Sequence, residues 1–497
     1  MTSHQWEWDR WALLALLLAA LALRMPPVLQ NRFHSDEALY GYWGLLIANW
    51  RDPGLVSVPV YKPPVLPYAV AVAQGLFGDC EFSVRVPGLT SGLLLVPLSA
   101  ALARALYRDR HAALAAAVCM ALSPFGILFS ATAFTDLPMM ALGLMACVAA
   151  ARKKPLWAGL FAGLSFASKQ PGLAWLPLVV MLQHLSMDRP RAKPLLITIG
   201  SWLSIVVLVA VWDWWRVIQG AAGFWNLGVS GYGGLRFIWP HEVGTRLSGW
   251  MGLAGYLFAS PVVNGLLLAG LPVLVGRALS TARRTRGALV DLLLVSFVLA
   301  YIFLHWLWAF PVWDRYLLPL LPTLSILVGR ILVMLARWLG GAAGRWLPSV
   351  GHLAPAISVV LLIAFLSTPA WTAALSRYPV GGDHGAYDGI DEVAAYLNGL
   401  PEGTVVYQHW LGWEYDYYLF GGPISIAYWP TPAWLAGDVQ AFGAGSERYV
   451  AFPSWESSAR VEQALAEVGF ELEPVLTTIR RDGQFSFAVY RIQPMSQ

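Results

Sequence analysis

The chain has 497 residues, of which 57% are hydrophobic and only 12% are charged, about half the charged share of a typical soluble domain. This composition excludes an ordinary soluble protein and predicts that most of the chain lies in lipid. The net charge of +4 is accounted for by basic loops between apolar runs, so it gives no reason to expect nucleic acid as a partner. The three cysteines encode neither a disulfide framework nor a metal site, and two of them, Cys119 and Cys147, lie within apolar runs.

Apolar runs long enough to cross a bilayer, about 20 residues each, recur along the first three quarters of the chain. They cover residues 11–29, 86–106, 111–130, 135–151, 194–216, 250–276, 288–310, 316–336 and 353–374. Residues 155–187 read as a tighter hairpin, broken at 168–172, which adds two short spans and brings the total to about eleven. No small-residue cleavage pattern follows the first run, so we expect it to stay as an anchor.

The loop between the first two runs, residues 33–64, carries an acidic pair, Asp36 and Glu37, and one lysine, Lys62. Ser35 is predicted to cap a helix that holds both carboxylates in its first turn, where the helix dipole favours negative charge. Apolar residues then recur at spacings of four, three and four in two short segments: Leu39, Trp43, Leu46 and Trp50, and, after Pro63 and Pro64, Leu66, Val70, Ala73 and Phe77. We therefore expect two interfacial helices in this first outer loop, lying in the membrane surface.

Basic residues fall in every second loop, and by the positive-inside rule they mark the cytoplasmic side. They are Arg10; Arg104, Arg108 and Arg110; Arg152, Lys153 and Lys154; Arg189, Arg191 and Lys193; Arg277, Arg283, Arg284 and Arg286; and Arg337 and Arg345. The opposite loops hold Asp36, Glu37, Lys62, Arg85, Asp136, Lys169, Arg246 and Arg315. The sequence therefore predicts a multi-pass protein of the cytoplasmic membrane, with charges of both signs gathered on its extracytoplasmic side.

From about residue 376 the pattern changes to that of a small α/β domain, which divides the chain into 1–375 and 376–497 and, by the loop count, lies outside the cytoplasm. Helices are predicted at 391–400 and 458–468, and strands at 404–408, 424–428, 449–452 and 485–492. Its aromatic residues could stack on sugars, but core packing or a membrane-facing belt explains such residues more often. They are Trp410, Trp413, Tyr415, Tyr417, Tyr418, Trp429 and Trp434. We assign no chemistry to this domain.

Three charged residues at outer ends of spans are candidates for a functional site. Asp136 begins a span beside Pro138, where an acid that caps its own helix is an equally good explanation. Arg315 also lies at a helix start, which is unfavourable for a cation, so a partner anion is expected. Lys169 is explained alternatively as a lysine that snorkels towards the membrane surface.

Cations and carboxylates together at this depth suit the transfer of a group away from a lipid phosphate. The cations would bind the phosphate and neutralise the charge that grows on it, while a carboxylate takes the proton from an acceptor hydroxyl or amine. Nucleotide-activated donors are not expected outside the cytoplasm, so a donor carried by a membrane lipid is the natural choice.

A set of short motifs, in their order and sidedness, resembles the multispan glycosyltransferases that use polyprenyl-phosphate sugars. The motifs are Asp36-Glu37 with Tyr40, Lys62-Pro63-Pro64, Arg85-Val86-Pro87, Thr135-Asp136-Leu137-Pro138, Lys169, and Arg315-Tyr316-Leu317-Leu318-Pro319. The chain is most similar to the group of protein O-mannosyltransferases and the aminoarabinose transferases that modify lipid A (glycosyltransferase family 39-like). The resemblance implies a GT-C-like fold: a polytopic α-helical membrane protein followed by the small C-terminal α/β domain.

The resemblance also implies roles for the residues that carry it. Asp36 would be the catalytic base, Glu37 its neighbour, and Asp136 a second carboxylate near the acceptor or the sugar. The donor phosphate would be bound by Lys62, Lys169, Arg315, Tyr316 and Arg85. One base and a departing lipid phosphate imply inversion at the sugar carbon.

This chain departs from some relatives in one position, because Tyr61 stands where they have an acid directly before the lysine. No cofactor is certain, and a divalent metal is left open. His34, His241 and Glu242 are weak candidates for metal ligands, with surface histidines the better explanation.

Two other functions are consistent with parts of the sequence. A transporter or flippase for lipid-linked sugars would need ionisable residues along a path through the membrane. Here they cluster at one face, with Asp291 near the cytoplasmic edge of its span and Arg330 the main deeper exception. A membrane anchor whose outer domain binds glycans would use the C-terminal aromatic residues. The sugar, the acceptor (lipid, glycan or protein) and the polyprenol length are not encoded in any recognisable pattern.

Overall fold

The structure, a computed structural model of the chain, describes residues 3–187, 192–231, 236–281, 285–343, 353–382, 384–443 and 445–495. Some of the arginines predicted to lie in the cytoplasm fall outside these residues: Arg189, Arg191, Arg283, Arg284 and Arg345. The chain divides into two compact units. The first unit is Met1–Leu29, Asp52–Ala69 and Arg85–Gly381, and the second is Gln30–Arg51, Val70–Val84 and Gly382–Gln497. The domain boundary expected at residue 376 stays a prediction.

Most of the described residues as far as 374 are helical. They are α1 (Ser3–Gln30), α2 (Ser35–Ala48), α3 (Val65–Phe77), α4 (Glu81–Tyr107), α5 (Arg110–Leu122), α6 (Pro124–Ser130), α7 (Asp136–Ala151), α8 (Pro155–Ser168), α9 (Trp175–Ser186), α10 (Ala192–Ile218), α11 (Phe224–Gly231), α12 (Glu242–Ala254), α13 (Pro261–Thr281), α14 (Arg286–Leu307), α15 (Leu321–Ala343) and α16 (Ala354–Ala374). Short 3-10 helices occur at Gln170–Ala174, Gly255–Leu257 and Asp314–Leu320.

In the described part of the chain, seven helices are long and apolar enough to cross a membrane, or eight if the bent pair α5 and α6 is one span. The chain is therefore an integral membrane protein, as predicted. The expected number of about eleven spans is not confirmed, because α7 and α8 have only 16 and 14 residues. The segment Asp314–Ala342 is the most enclosed of the candidate spans, with 83% of its most apolar stretch buried inside the protein.

The run predicted at 111–130 is bent by 51° between α5 and α6. Ser123 and Pro124 stand at the bend, where the Ser123 hydroxyl accepts a hydrogen bond from the backbone of Gly126. The fully buried Arg24 of α1 donates to the carbonyl oxygens of Met120 and Ala121, at 3.1 and 3.0 Å. These carbonyls end α5 without helical partners, so Arg24 satisfies them inside the membrane region.

The run predicted at 250–276 does not form one helix. In the structure α12 ends at Ala254, a 3-10 turn follows, and α13 begins at Pro261. Proline fits the first turn of a helix but not a continuing one, which explains why the chain restarts there. The prediction of a single span at 250–276 is therefore wrong.

The predicted hairpin at 155–187 is confirmed. Helix α8 ends at Ser168, Lys169 is extended, a 3-10 turn covers Gln170–Ala174, and α9 follows. A Cβ atom on Gly172 would collide with the backbone of Ser165, so only glycine lets the turn lie against α8. This close turn fixes the position of Lys169 at the end of the hairpin.

In the second unit, α2 is enclosed on two sides by protein. A side chain at Gly41 would meet the Tyr417 ring at 2.8 Å, and one at Gly44 would meet Val70 at 2.6 Å. The predicted N-cap Ser35 is wrong by one residue: His34 caps α2, with its Nδ1 accepting from the backbone of Asp36 at 3.1 Å. The apolar stripe also stops early, because α2 ends at Ala48 and Trp50 lies exposed in the following turn.

The C-terminal part of this unit is a five-stranded sheet with helices, as the sequence predicted for an α/β domain. Its strands are β1 (Val405–Gln408), β2 (Ser425–Tyr428), β3 (Arg448–Pro453), β4 (Phe470–Ile479) and β5 (Phe485–Pro494), and its helices are α17 (Ile390–Asn398), α18 (Gly412–Tyr418), α19 (Pro432–Phe442) and α20 (Ala459–Ala466). The strand order is β2-β1-β3-β5-β4, with β1 parallel to β2 and β3, and β5 antiparallel to β3 and β4. The sequence did not predict β4, α18 or α19.

Candidate active site

The centre of the first unit's polar cluster is an ion pair between Lys169 and Asp136. The Lys169 Nζ donates to Asp136 Oδ1 at 2.6 Å, and both side chains are almost fully buried. Asp136 stands in the first turn of α7, as predicted, but its carboxylate is bonded to the hairpin lysine. The other oxygen, Oδ2, is buried and accepts no hydrogen bond from the described residues. A ligand that supplies a donor here would satisfy it.

The ring of Tyr316 forms a second side of this cluster. Lys169 Nζ lies 5.0 Å from the centre of that ring, a distance suited to a cation–π interaction. The Tyr301 hydroxyl donates to the Tyr316 carbonyl oxygen at 3.0 Å, and His305 stacks on Tyr301 with ring centres 4.1 Å apart. Contacts from α14 therefore hold the segment that carries Tyr316 in place.

Arg315 lies between two aromatic rings, with its guanidinium carbon 5.0 Å from the Phe134 ring centre and 4.5 Å from that of Trp313. Phe134 precedes Asp136 by two residues, so these contacts bring Arg315 to the start of α7. The adjacent Asp314 accepts a hydrogen bond from the backbone of Gly381 at 2.8 Å. Arg315 therefore lies in the same region as the ion pair of Lys169 and Asp136.

Lys62 belongs to this cluster through its neighbour Tyr61. The Gln170 side chain donates to the Tyr61 carbonyl oxygen at 2.9 Å, which joins the first outer loop to the residue after Lys169. Lys62 is buried, and its Nζ lies 4.7 Å from the centre of the Tyr61 ring. The two lysines are thus carried by segments that touch each other.

Arg85 is completely buried near the start of α4. Its Nη1 donates to the carbonyl oxygen of Val28 at 2.9 Å, close to the end of α1. This contact gives Arg85 a structural task at a helix terminus. Its participation in phosphate binding stays a prediction.

Asp36 and Glu37 lie in the first turn of α2, in the second unit, as predicted. Glu37 is buried and its carboxylate accepts from the backbone of His34 at 3.1 Å, completing a capping box. Asp36 is only partly buried. Glu37 therefore has a structural role in forming the turn that carries Asp36.

The candidate metal ligands do not form a metal site in the described residues, where no group of three or more histidine, cysteine, aspartate or glutamate side chains converges. His34 caps α2. Glu242 is partly exposed and paired with Arg236 at 2.9 Å, and that hydrogen bond is the main reason its pKa is lowered to about 2. With Tyr61 in place of an acid, these residues do not fit a metal ion, and we derive no step through one.

Arg330 and Asp291, the charged residues considered for a transport path, have a structural explanation. Arg330 of α15 pairs with Asp291 of α14 at 3.3 Å and stacks on Tyr107, with its guanidinium carbon 4.7 Å from the ring centre. Of the C-terminal aromatic residues, Tyr415, Tyr417 and Trp429 are buried. Trp410 and Trp434 are exposed.

Several residues with a clear part in the structure were not singled out from the sequence. Gln170, Tyr301 and His305 lie in apolar or turn segments, and Arg24 is hidden inside the first span. Glu414, which is fully buried beside Ser35, sits within a run of aromatic residues. The unfavourable setting of a charge in an apolar segment is the signal that could have marked Arg24.

Residues 61–215 match a family model described as dolichyl-phosphate-mannose-protein mannosyltransferase. This segment contains Lys62, Arg85, Asp136 and Lys169. It is less than half of the chain.

Among curated proteins, the chain is similar to undecaprenyl phosphate-alpha-4-amino-4-deoxy-L-arabinose arabinosyl transferases from Pseudomonas fluorescens. One of these is 24% identical over 385 residues, 72% of this chain and 63% of the relative. A second is 30% identical over 253 residues, 45% of each protein, and a third is 25% identical over 458 residues, 86% of this chain and 70% of the relative. The chain thus matches 63% and 45% of the length of the first two relatives.

Among solved structures, the chain is similar to ArnT from Cupriavidus metallidurans. The apo structure matches with a TM-score of 0.66 and the undecaprenyl phosphate complex with 0.62, each at 15% identity and over 98% of both chains. The described chain therefore has the fold of ArnT, and the GT-C-like fold class is confirmed. The resemblance to glycosyltransferases that use polyprenyl-phosphate sugars, predicted from the short motifs, is confirmed as well.

Proposed function

We propose that this chain is an inverting glycosyltransferase that moves a sugar from a polyprenyl phosphate to an acceptor on the extracytoplasmic side of the cytoplasmic membrane. The observation that carries the proposal is the cluster of Lys169 and Arg315 around Asp136 and Tyr316, with Lys62 on the adjoining segment. Lys62 and Lys169 are buried, and Arg315 is partly buried. Lysine and arginine side chains gathered in one region of a membrane protein suit the binding of an anion, and a lipid phosphate is an anion that the membrane itself supplies. The names of the relatives and the lipid in the ArnT complex support undecaprenyl phosphate as the carrier.

The cations stabilise the leaving group. As the bond between the sugar carbon C1 and the phosphate oxygen breaks, its electron pair stays on the phosphate, and negative charge grows there. Lys62 and Arg315 offset that charge directly, while Lys169 also holds Asp136 in place. Fixed charges in a site with little water are worth several kcal/mol, about 3 for a single donor, so they can account for much of the rate.

Asp36 is the proposed base, on the strength of the resemblance. Its carboxylate takes the proton from the acceptor hydroxyl or amine, whose oxygen or nitrogen forms the new bond to C1. The nucleophile attacks opposite the departing phosphate, so the configuration at C1 inverts. The unmet oxygen of Asp136 would accept a hydrogen bond from a hydroxyl of the sugar or the acceptor.

The assignment of Asp36 is tested by Asp36→Asn, which keeps the shape and removes the base. We expect the variant to fold, insert and bind undecaprenyl phosphate as the wild type does, while sugar transfer from a radiolabelled undecaprenyl-phosphate sugar falls by about 10² to 10⁴. Undiminished transfer would show that Asp36 is not the base.

The phosphate-binding cations are tested separately by Lys62→Ala and Arg315→Ala. Both variants should weaken binding of undecaprenyl phosphate, measured with the purified protein in detergent, by about tenfold each. Arg10→Ala, on the opposite side of the predicted membrane, is the matched control and should bind as the wild type. Unchanged binding in all three variants contradicts the proposal.

A further inference from the structure

The first turn of α2, which carries Asp36, is tied to the C-terminal part of its own unit through Ser35. The Ser35 hydroxyl donates to Glu414 Oε1 at 2.6 Å, and it also lies 2.8 Å from the Tyr387 hydroxyl. Next to it, the Phe33 ring meets the Tyr417 ring edge-on, with centres 4.9 Å apart. Helix α18, which carries Glu414 and Tyr417, is thus packed against the residues that surround the proposed base.

Two further hydrogen bonds lie within this turn. The His34 ring accepts from the backbone of Asp36, and the Glu37 carboxylate accepts from the backbone of His34. These bonds hold the turn together, but they do not orient it against the rest of the unit. The hydrogen bond from Ser35 to Glu414 does orient the turn, because it joins the turn to a helix 379 positions away in the chain.

The burial of the Glu414 carboxyl group is unfavourable in free energy, which a purely structural role does not explain. It is fully buried, and its Oε2 accepts no hydrogen bond from any residue that the structure describes. A buried carboxyl group with an unmet oxygen costs free energy that an apolar side chain of similar size would not cost. The pKa of Glu414 is raised to about 7, mainly by burial and in smaller part by the charges of Asp36 and Asp416, against the lowering effect of the hydrogen bond from Ser35.

We propose that Glu414 is a positioning residue for sugar transfer: its hydrogen bond to Ser35 fixes the first turn of α2 and with it the carboxylate of Asp36. This inference rests on the proposed function, in which Asp36 takes the acceptor proton. It also gives the C-terminal α/β region a part in the reaction. A misplacement of about 1 Å in a reacting group can cost up to 10² in rate, so a single anchoring bond has a measurable effect.

The test uses the full chain in detergent with a radiolabelled undecaprenyl-phosphate sugar. Glu414→Met keeps the approximate volume and removes both oxygens, whereas Glu414→Gln keeps an oxygen for Ser35. We expect Glu414→Met to lower kcat about tenfold with the donor KM within about twofold, and Glu414→Gln to stay within about threefold of the wild type. The midpoint of thermal unfolding of Glu414→Met should not fall, because the variant no longer buries an unmet polar atom.

Ser35→Ala completes a double-mutant cycle. If the two side chains act through their shared hydrogen bond, Ser35→Ala combined with Glu414→Met should lower kcat no more than Glu414→Met alone. Glu402→Met, at an exposed glutamate of the same region, is the matched control and should change nothing.

The inference is overturned if Glu414→Met has the kcat of the wild type, if Glu414→Gln is as weak as Glu414→Met, or if the loss of activity only follows a lower unfolding midpoint. Failure of the proposed function would look different. In that case the wild type transfers no sugar from the lipid donor, or Asp36→Asn transfers as much as the wild type.

Discussion

The ion pair of Asp136 and Lys169 is the residue-scale feature on which the site depends. Each side chain neutralises a charge that would otherwise stand alone in a buried setting. Both residues were candidates from the sequence, but 33 positions and a tight turn separate them, so their contact could not be predicted. The sequence pattern showed which charged residues are unfavourable in apolar surroundings. Only the packing of α7 against α8 shows which of these residues contact each other.

Removing one partner of this pair should be worse than removing both. Lys169→Met leaves Asp136 buried and unpaired, which should lower the free energy of unfolding by about 3–5 kcal/mol. The double variant with Asp136→Asn should recover most of that loss, while sugar transfer stays low in both. Thermal unfolding in detergent measures the effect. Equal stability of the two variants would contradict the pairing.

The raised pKa of Glu414 predicts how stability depends on pH. A carboxyl group with a pKa of about 7 when folded and 4.5 when unfolded binds its proton more tightly in the folded state. Its contribution is therefore greatest below about pH 4.5 and is lost as the pH rises towards 7, by at most about 3 kcal/mol.

Glu414→Gln cannot titrate, so its unfolding midpoint should fall less than that of the wild type between pH 4.5 and 7. Asp416, whose pKa burial raises to about 6, contributes in the same direction and remains in both proteins. Identical pH profiles for the two proteins would show that Glu414 is not buried as described.

At the scale of elements, the hairpin of α8 and α9 decides where Lys169 lies. Gly172→Ala places a methyl group against the Ser165 backbone, so the turn must move away from α8. We expect the variant to be destabilised by about 1–3 kcal/mol and to bind undecaprenyl phosphate more weakly. Gly200→Ala in α10, where a methyl group meets no atom within 4 Å, is the control and should be neutral or slightly stabilising. Equal binding by the two variants would contradict the assigned role of the turn.

Helices and strands with a regular spacing of apolar residues and clear residues at their ends could be predicted from the sequence. Elements whose residues favour more than one structure could not. The hairpin was found from its Lys169-Gln170-Pro171-Gly172 break. Helix α19 was not predicted, although Thr431 caps it and Pro432 stands in its first turn. Strand β4 was missed because Pro474 interrupts its pattern, and its register with β5 shifts beside that residue. Competing local signals therefore set the limit of prediction here.

At the scale of the whole molecule, composition predicted a multispan membrane protein, and charge placement predicted a polar cluster at one level of the helices. The division into units could not be read in the same way, because Gln30–Arg51 and Val70–Val84, close to the first apolar runs, belong with the C-terminal residues. Contacts between segments hundreds of residues apart leave no periodic pattern. The bond of Ser35 to Glu414 is one such contact.

The central claim is that the chain breaks the bond between a sugar and a lipid phosphate, rather than carrying an intact lipid-linked sugar across the membrane. Proteoliposomes that contain the purified chain and a doubly labelled undecaprenyl-phosphate sugar test it most directly, with a membrane extract as the source of acceptors. We expect free undecaprenyl phosphate to appear in equal amount with a new glycoside, and neither to appear with Asp36→Asn. Movement of the intact donor between leaflets without release of undecaprenyl phosphate would contradict the account.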